Sequence, residues 1–206
     1  MKRLFLLGIL LGIFNHSLYA GEDVAANQLT QRLNALHTMS AQFNQEIFSK
    51  KHVISHSSGT MGIQRPGKFR WDTKSPMVQR VIADGKHIWI YDVDLEQVTV
   101  KKQSKGLGGT PGLFLSGYDN TVARDFSVTM SQKAGLDLFD LTPKSRKDNF
   151  QHVQLGFKGN ALYSIDLYDQ LGQHTKVKLS HIKVNPHLPG KMFSFSAPKG
   201  TDVVHQ

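Results

Sequence analysis

The chain has no cysteine among its 206 residues. That absence excludes a disulfide framework, a thiolate zinc site, a cysteine nucleophile and a lipid-modified N-terminal cysteine. Acidic residues are scarce: 16 Asp and Glu stand against 25 Lys and Arg, a formal net charge of +9. Long hydrophobic runs are almost missing. The single one covers residues 4–14, well short of the roughly 20 apolar residues that span a bilayer. A mean hydropathy of -0.31 excludes a polytopic membrane protein. No linker, low-complexity tract or repeat divides the chain beyond residue 20. What is present is 39% hydrophobic and 20% charged residues, the composition of a folded globular chain long enough to bury a core.

The first twenty residues read as a separate object. Lys2 and Arg3 precede the apolar run, Asn15-His16-Ser17 turn polar, and Leu18-Tyr19-Ala20 leads into Gly21. This is the layout of a secretory signal peptide, 1–20, cut after Ala20. The remaining 21–206 is expected to be one domain with 23 basic and 16 acidic residues. An exported, cysteine-free chain suits a bacterial periplasm. Its basic charge there points to acidic proteins, anionic lipid headgroups or cell wall, and not to nucleic acid.

The domain opens with an amphipathic helix expected over about 23–37, capped by Asp23, with Ala25, Ala26, Leu29, Leu33 and Leu36 on one face. Arg32 falls on the polar side. Period-two alternation then takes over at residues 43–48, 59–63, 69–71, 78–82, 87–91, 97–101, 126–130, 136–141, 153–157, 163–167, 177–179 and 193–195. Asp84-Gly85, Lys158-Gly159-Asn160 and Asn185-Pro186 supply turns. One stretch breaks the pattern: Thr110 and Pro111 open, and Gly117 closes, a short helix carrying Leu113, Phe114 and Leu115. So short a helix must lie on something apolar. The fold class expected is α+β, mostly β: a single curved antiparallel sheet with an N-terminal helix and short central helices. Those helices either plug the concave face or cover it as a lid over a cavity.

Motifs for catalysis are weak. Gly106-Leu107-Gly108-Gly109 lacks the Lys-Ser/Thr of a phosphate loop, and Ser116 lacks the first glycine of a nucleophile elbow. Asp92, Asp94 and Glu96 alternate as a carboxylate set would, but they fall at a hairpin bend and read as a solvated turn. His52 and His56 have no Glu or Cys to complete a metal set. Two basic clusters, Lys101, Lys102, Lys105 and Lys144, Arg146, Lys147, lack the interleaved aromatics of a single-strand nucleic-acid binder. Neither a catalytic residue, a metal site nor a cofactor is expected.

Two stretches are more specific: Arg65-Pro66-Gly67-Lys68-Phe69-Arg70-Trp71, and the run from Asp84-Gly85-Lys86-His87-Ile88-Trp89 to Val98. Together with Thr110-Pro111, Leu141-Thr142-Pro143-Lys144 and Phe193-Ser194-Phe195-Ser196-Ala197-Pro198, they resemble the LolA family of periplasmic outer-membrane lipoprotein carriers, in order and over nearly all of 21–206. The resemblance implies an incomplete (half) β-barrel with α-helices as a lid. It implies a soluble, non-enzymatic chaperone for the acyl chains of lipoproteins. Its expected partners are an inner-membrane ABC transporter that releases lipoproteins and an outer-membrane receptor of the same fold, itself a lipoprotein. With no cysteine to acylate, this chain matches the soluble carrier.

Under this resemblance Leu33, Phe43, Phe69, Trp71, Trp89, Leu113 and Phe114 are candidates to line the acyl site, each also readable as plain core. Arg65 is expected to latch the lid of the empty protein, its fixed donors reaching lid-helix backbone. A related half-barrel that binds free lipid or senses mislocalised lipoprotein stays as an alternative, as does an unrecognised periplasmic hydrolase.

Overall fold

The computed structural model describes residues 17–103, 115, 117, 122–145 and 150–206, with only the backbone of 17–22. Leu113, Phe114, Lys105, Arg146 and Lys147 lie outside the described residues. Helix α1, Ser17–Ala35, is followed by six strands: β1 Thr38–Ser49, β2 His52–Gln64, β3 Lys68–Ser75, β4 Gln79–Asp84, β5 His87–Asp92 and β6 Gln97–Lys102. A one-turn helix, Val122–Asp125, precedes β7 Phe126–Lys133, β8 Leu136–Pro143, β9 Phe150–Lys158, β10 Ala161–Asp169 and β11 Gln173–Val184. A 3-10 turn, Gly190–Phe193, leads to β12, Asp202–His205.

All twelve strands form one sheet in the order β12-β6-β5-β4-β3-β2-β1-β11-β10-β9-β8-β7. Every neighbouring pair is antiparallel except β12 with β6. The mostly-β, antiparallel expectation therefore holds. Two local expectations do not. Residues 193–195 are not a strand: Phe193 ends the 3-10 turn and Phe195 lies in extended chain. And α1 begins at Ser17, so Asp23 lies inside the helix and does not cap it. Its other end is capped from afar. Asn185 Oδ1 accepts from the N–H of His37 at 2.9 Å and of Thr38 at 3.2 Å, while Asn185 Nδ2 donates to the Ala35 carbonyl at 3.0 Å.

Register defines what the inner face presents. Directly paired residues share a face, so Met39, Ile63, Phe69, Ala83 and Ile88 make one row across β1–β5. Ala41, Met61, Trp71, Val81 and Ile90 make the next. Each row crosses four strand gaps, about 19 Å at the usual spacing. The third row turns polar after Phe43 and Gly59, continuing as Thr73, Gln79, Asp92 and Gln97. On the other half, Val177, Ile165, Leu155 and Phe139 continue the apolar floor. Leu29, Leu33 and Leu36 of α1 are buried in the same cluster as these residues.

The outer face is dressed differently. After β11 the chain crosses it as a strap. Arg70 Nη1 donates to the Met192 carbonyl at 3.1 Å, Phe193 is buried, and Phe195 packs on Trp89 and Tyr91 with ring centroids 6.3 and 5.6 Å apart. The strap then lays β12 along the edge of β6.

Gly59 is demanded by this packing. The Phe43 ring crosses the strand at Gly59 to stack on Trp71, centroids 3.9 Å apart at 22°. A Cβ at Gly59 would collide with the Phe43 ring and the Asp72 carbonyl. Gly59→Ala is expected to cost about 1–3 kcal/mol through overpacking. Urea unfolding should show a lower midpoint with an unchanged slope; an unchanged midpoint would show that the ring relaxes freely.

Candidate functional site

The sheet brings most of the expected lining residues to one face. Phe43, Phe69 and Trp71 share the inner side of β1 and β3, all within 4% exposure, and Leu33 of α1 joins them in the same cluster. Phe69 and Trp71 stand 6.0 Å apart, centroid to centroid. Leu115, from the apolar run after β6, is fully buried in this cluster too. Trp89 is a correction. It pairs with Ile82 and Val100 on the outer face, and Phe195 of the strap covers it. Its neighbours Ile88 and Ile90 hold the inner positions.

Arg65 sits at the turn between β2 and β3. Its backbone N–H donates to the His37 carbonyl at 2.9 Å, joining the turn to the end of α1. Its guanidinium lies against Gly117, the residue that closes the segment after β6. Gly117 has φ of +62°, and a Cβ there would overlap the guanidinium. Glycine is thus required twice at that position, for backbone conformation and for room. Burial lowers the pKa of Arg65 from its ordinary value, because desolvation disfavours the charged form.

A second arginine is one that sequence reasoning left on a polar helix face. Arg32 of α1 reaches over the inner face, donating to the Gly159 carbonyl at 2.5 Å and pairing with Asp137 of β8. Its guanidinium rests over the rings of Phe139 and Phe157 at 5.4 and 5.5 Å. The Gln132 amide, first, and Arg32 hold the Asp137 carboxyl below its ordinary range. This clasp ties α1 to β8 and to the turn after β9.

The basic stretch before the apolar run divides by parity: Lys101 pairs with Ile88 on the inner face, while Lys102 is exposed. Of the three carboxylates expected in a solvated turn, Asp94 and Glu96 lie in the turn between β5 and β6, whereas Asp92 ends β5 and accepts from Gln79 Nε2 at 2.7 Å. Among the described residues no three His, Asp or Glu side chains gather as a metal site.

The fold and the site define a class: one open sheet, apolar inside, with a helix clasped over that face and an arginine at the mouth of the next segment. The family model of the outer membrane lipoprotein carrier protein LolA matches residues 34–196. An outer-membrane lipoprotein carrier protein of Legionella pneumophila (strain Paris) is 56% identical over all of both chains. One of Dechloromonas aromatica (strain RCB) is 40% identical over 87% of each. The chain belongs to the LolA family. At the level of fold alone, it is similar to an uncharacterised conserved protein from Thermus thermophilus, with a TM-score of 0.56 at 14% identity, covering 88% of this chain and 99% of that one. A DUF1329 family protein from Desulfovibrio piger gives a TM-score of 0.53 at 11% identity over 86% and 97% of the two chains.

The Asp137 clasp has a pH signature. Its carboxyl is depressed on folding, so its contribution is full above the unfolded value of 3.8 and declines as pH falls toward the lower folded value. Asp137→Asn should be less stable than the unsubstituted chain at pH 6, with the gap closing as pH falls below that value. A gap independent of pH would mean that the carboxylate charge contributes nothing.

Proposed function

We propose that this chain is a periplasmic carrier of lipoproteins. It takes their acyl chains onto the inner face of the sheet, crosses the periplasm and delivers them to an outer-membrane receptor. The single observation that carries the reading is the inner floor itself: two apolar rows across β1–β5, bounded by a polar row, under a cover that α1 and Leu115 help to form. Family membership supports the cargo class, since the relatives are named lipoprotein carriers. An inner-membrane ABC transporter would load the chain, and a receptor of the same fold would unload it. No catalysis and no cofactor enter the scheme.

The proposal includes removal of residues 1–20. The cut would fall inside α1 and leave Glu22 and Asp23 in the first turn of the shortened helix. Carboxylates there complement the helix dipole, which gives Asp23 back a role at the start of the helix. The lining set is Leu33, Phe43, Phe69 and Trp71, with Leu113 and Phe114 from the expected short helix. In the closed state the first four are covered, so cargo enters only as the cover moves. Arg65, against Gly117, is the latch of that closed state.

The two tryptophans make the reading testable, because Trp71 lies on the inner face and Trp89 on the outer. Titration with a non-fluorescent palmitoyl probe should change the emission of Trp71. Trp89→Phe should keep the change and Trp71→Phe should lose it. A change carried by Trp89 would put the ligand under the strap and end this assignment.

The latch makes a second prediction. Arg65→Leu removes a contact of the closed state alone, so it should shift the equilibrium toward the loaded form. Retention of acyl cargo should tighten by about five- to 150-fold, for about 1–3 kcal/mol of lost closed-state interaction by a charged donor. Release to an acceptor membrane should slow in step. Equal release from Arg65→Leu and the unsubstituted chain would remove Arg65 from the mechanism.

A further inference from the structure

Strand β6 turns its polar side to the inner face. Gln97, Thr99 and Lys101 pair with Asp92, Ile90 and Ile88, so each of the three inner rows reaches this strand on a polar residue. Its valines do the opposite: Val98 and Val100 pair with Tyr91 and Trp89, on the outer face that Phe195 of the strap covers. The row that begins at Met39 runs through Ile63, Phe69, Ala83 and Ile88 and ends on Lys101. Its apolar part, about 19 Å along the sheet, exceeds the hydrocarbon of one membrane leaflet, about 15 Å as half of a bilayer core. Lys101 is partly buried, and among the described residues no carboxylate pairs with it. The groups on either side of it along β6 are already bonded within the protein. Gln103 Nε2 donates to the Gly67 carbonyl at 2.9 Å, its Oε1 accepts from the Gly85 N–H at 3.0 Å, and Gln97 Nε2 reaches Asp202 at 3.4 Å. The next lysine, Lys102, pairs with His87 on the outer face and is exposed.

We propose that Lys101 gives the inner face a further class of ligand, the anion of a long-chain fatty acid: its hydrocarbon lies along the row from Met39 to Ile88, and its carboxylate accepts from Lys101 Nζ. The inference rests on the reading of the inner face as an acyl site. Its physical ground is a cation drawn partly out of water with no counter-charge from the protein, at the end of an apolar row. A carboxylate there supplies the charge and a charge-assisted hydrogen bond together. An esterified chain presents only a neutral carbonyl at the same place, which accepts the bond and brings no charge. Lys101 thus favours the free acid over its ester, and a free fatty acid competes with esterified cargo for one floor. The opposite parity of Lys102 leaves it no part in this contact.

The test is calorimetric titration of the purified protein with palmitate and with methyl palmitate, both below their aggregation limits and at a mildly alkaline pH that keeps the acid ionised. Lys101→Met keeps the length of the side chain and loses its charge, Lys101→Arg keeps the charge, and Lys102→Met removes the neighbouring charge on the outer face. The unsubstituted chain should bind palmitate more tightly than the methyl ester. Lys101→Met should weaken palmitate by about three- to tenfold, the size of one charged hydrogen bond partly open to solvent, and should change the ester by less than about twofold. Lys101→Arg and Lys102→Met should bind palmitate as the unsubstituted chain does. Added salt should narrow the gap between acid and ester in the unsubstituted chain and leave the ester alone. Should Lys101→Met not fold, Lys101→Gln gives the same comparison. Equal loss of acid and ester in Lys101→Met, a loss in Lys102→Met as large as that in Lys101→Met, or no loss at all would each overturn the proposal. The ester separates this from the carrier reading. If acid and ester bind equally and Lys101→Met alters neither, the acyl site stands and the role of Lys101 falls; if the unsubstituted chain binds neither, the acyl site itself falls, and the proposal with it.

Discussion

A sheet of twelve strands has two faces to cover and, among the described residues, a single long helix to cover them with, and the rest of the structure follows from that imbalance. Large open sheets normally lose their apolar face against a second layer. Here the outer face is dressed by the chain's own strap, through Met192, Phe193 and Phe195, and its β6 edge is closed by β12. The inner face gets α1, tied to β8 and to the turn after β9 by Arg32, and Leu115. Two coverings with different attachments result. The strap continues into a paired strand, a strong tie. Among the described residues, α1 is tied to the inner face by the Arg32 clasp and by the burial of Ala25, Ala26, Leu29, Leu33 and Leu36 in the core.

The two arginines divide that work. Arg32 makes directed bonds to a carbonyl and a carboxylate and lies on two rings, so several contacts must fail together before α1 leaves. Arg65 is pressed against a glycine, and burial works against its charge. A desolvated guanidinium regains hydration when the contact opens.

How much of this the sequence discloses depends on the range of each interaction. Period-two alternation locates the strands, because the pleat is a local property. It cannot say which face of β5 lies inside, since His87-Ile88-Trp89-Ile90-Tyr91 is apolar on both faces and both are covered. That ambiguity is why Trp89 reads as an inner-face residue and stands on the outer face. The strap escapes local reading for the same reason: Phe193 and Phe195 alternate like a strand, yet Phe195 is fixed by Trp89 and Tyr91, which lie far earlier in the chain. Arg32 with Asp137 and Gln103 with Gly67 are long-range pairs between residues of unremarkable type, and no local pattern marks either. Arg65 is legible only through a family motif, Arg-Pro-Gly before an aromatic strand. Leu33, Phe43, Phe69 and Trp71 are legible as apolar, but their shared face needs the register.

On the carrier reading, the energetics of lipid give the inner cover its reason. At about 0.8 kcal/mol for each buried CH₂, one acyl chain of membrane length represents on the order of 10 kcal/mol. A carrier whose floor stood bare would gain nearly all of that on loading and would not let go. In this chain Phe69, Trp71 and their neighbours are buried within the protein itself. On the reading proposed above, cargo would replace the cover, and affinity would be the difference between two ways of hiding the same floor. Small terms then decide retention and release. On that reading, the contact of the Arg65 guanidinium with Gly117 is a term of that size.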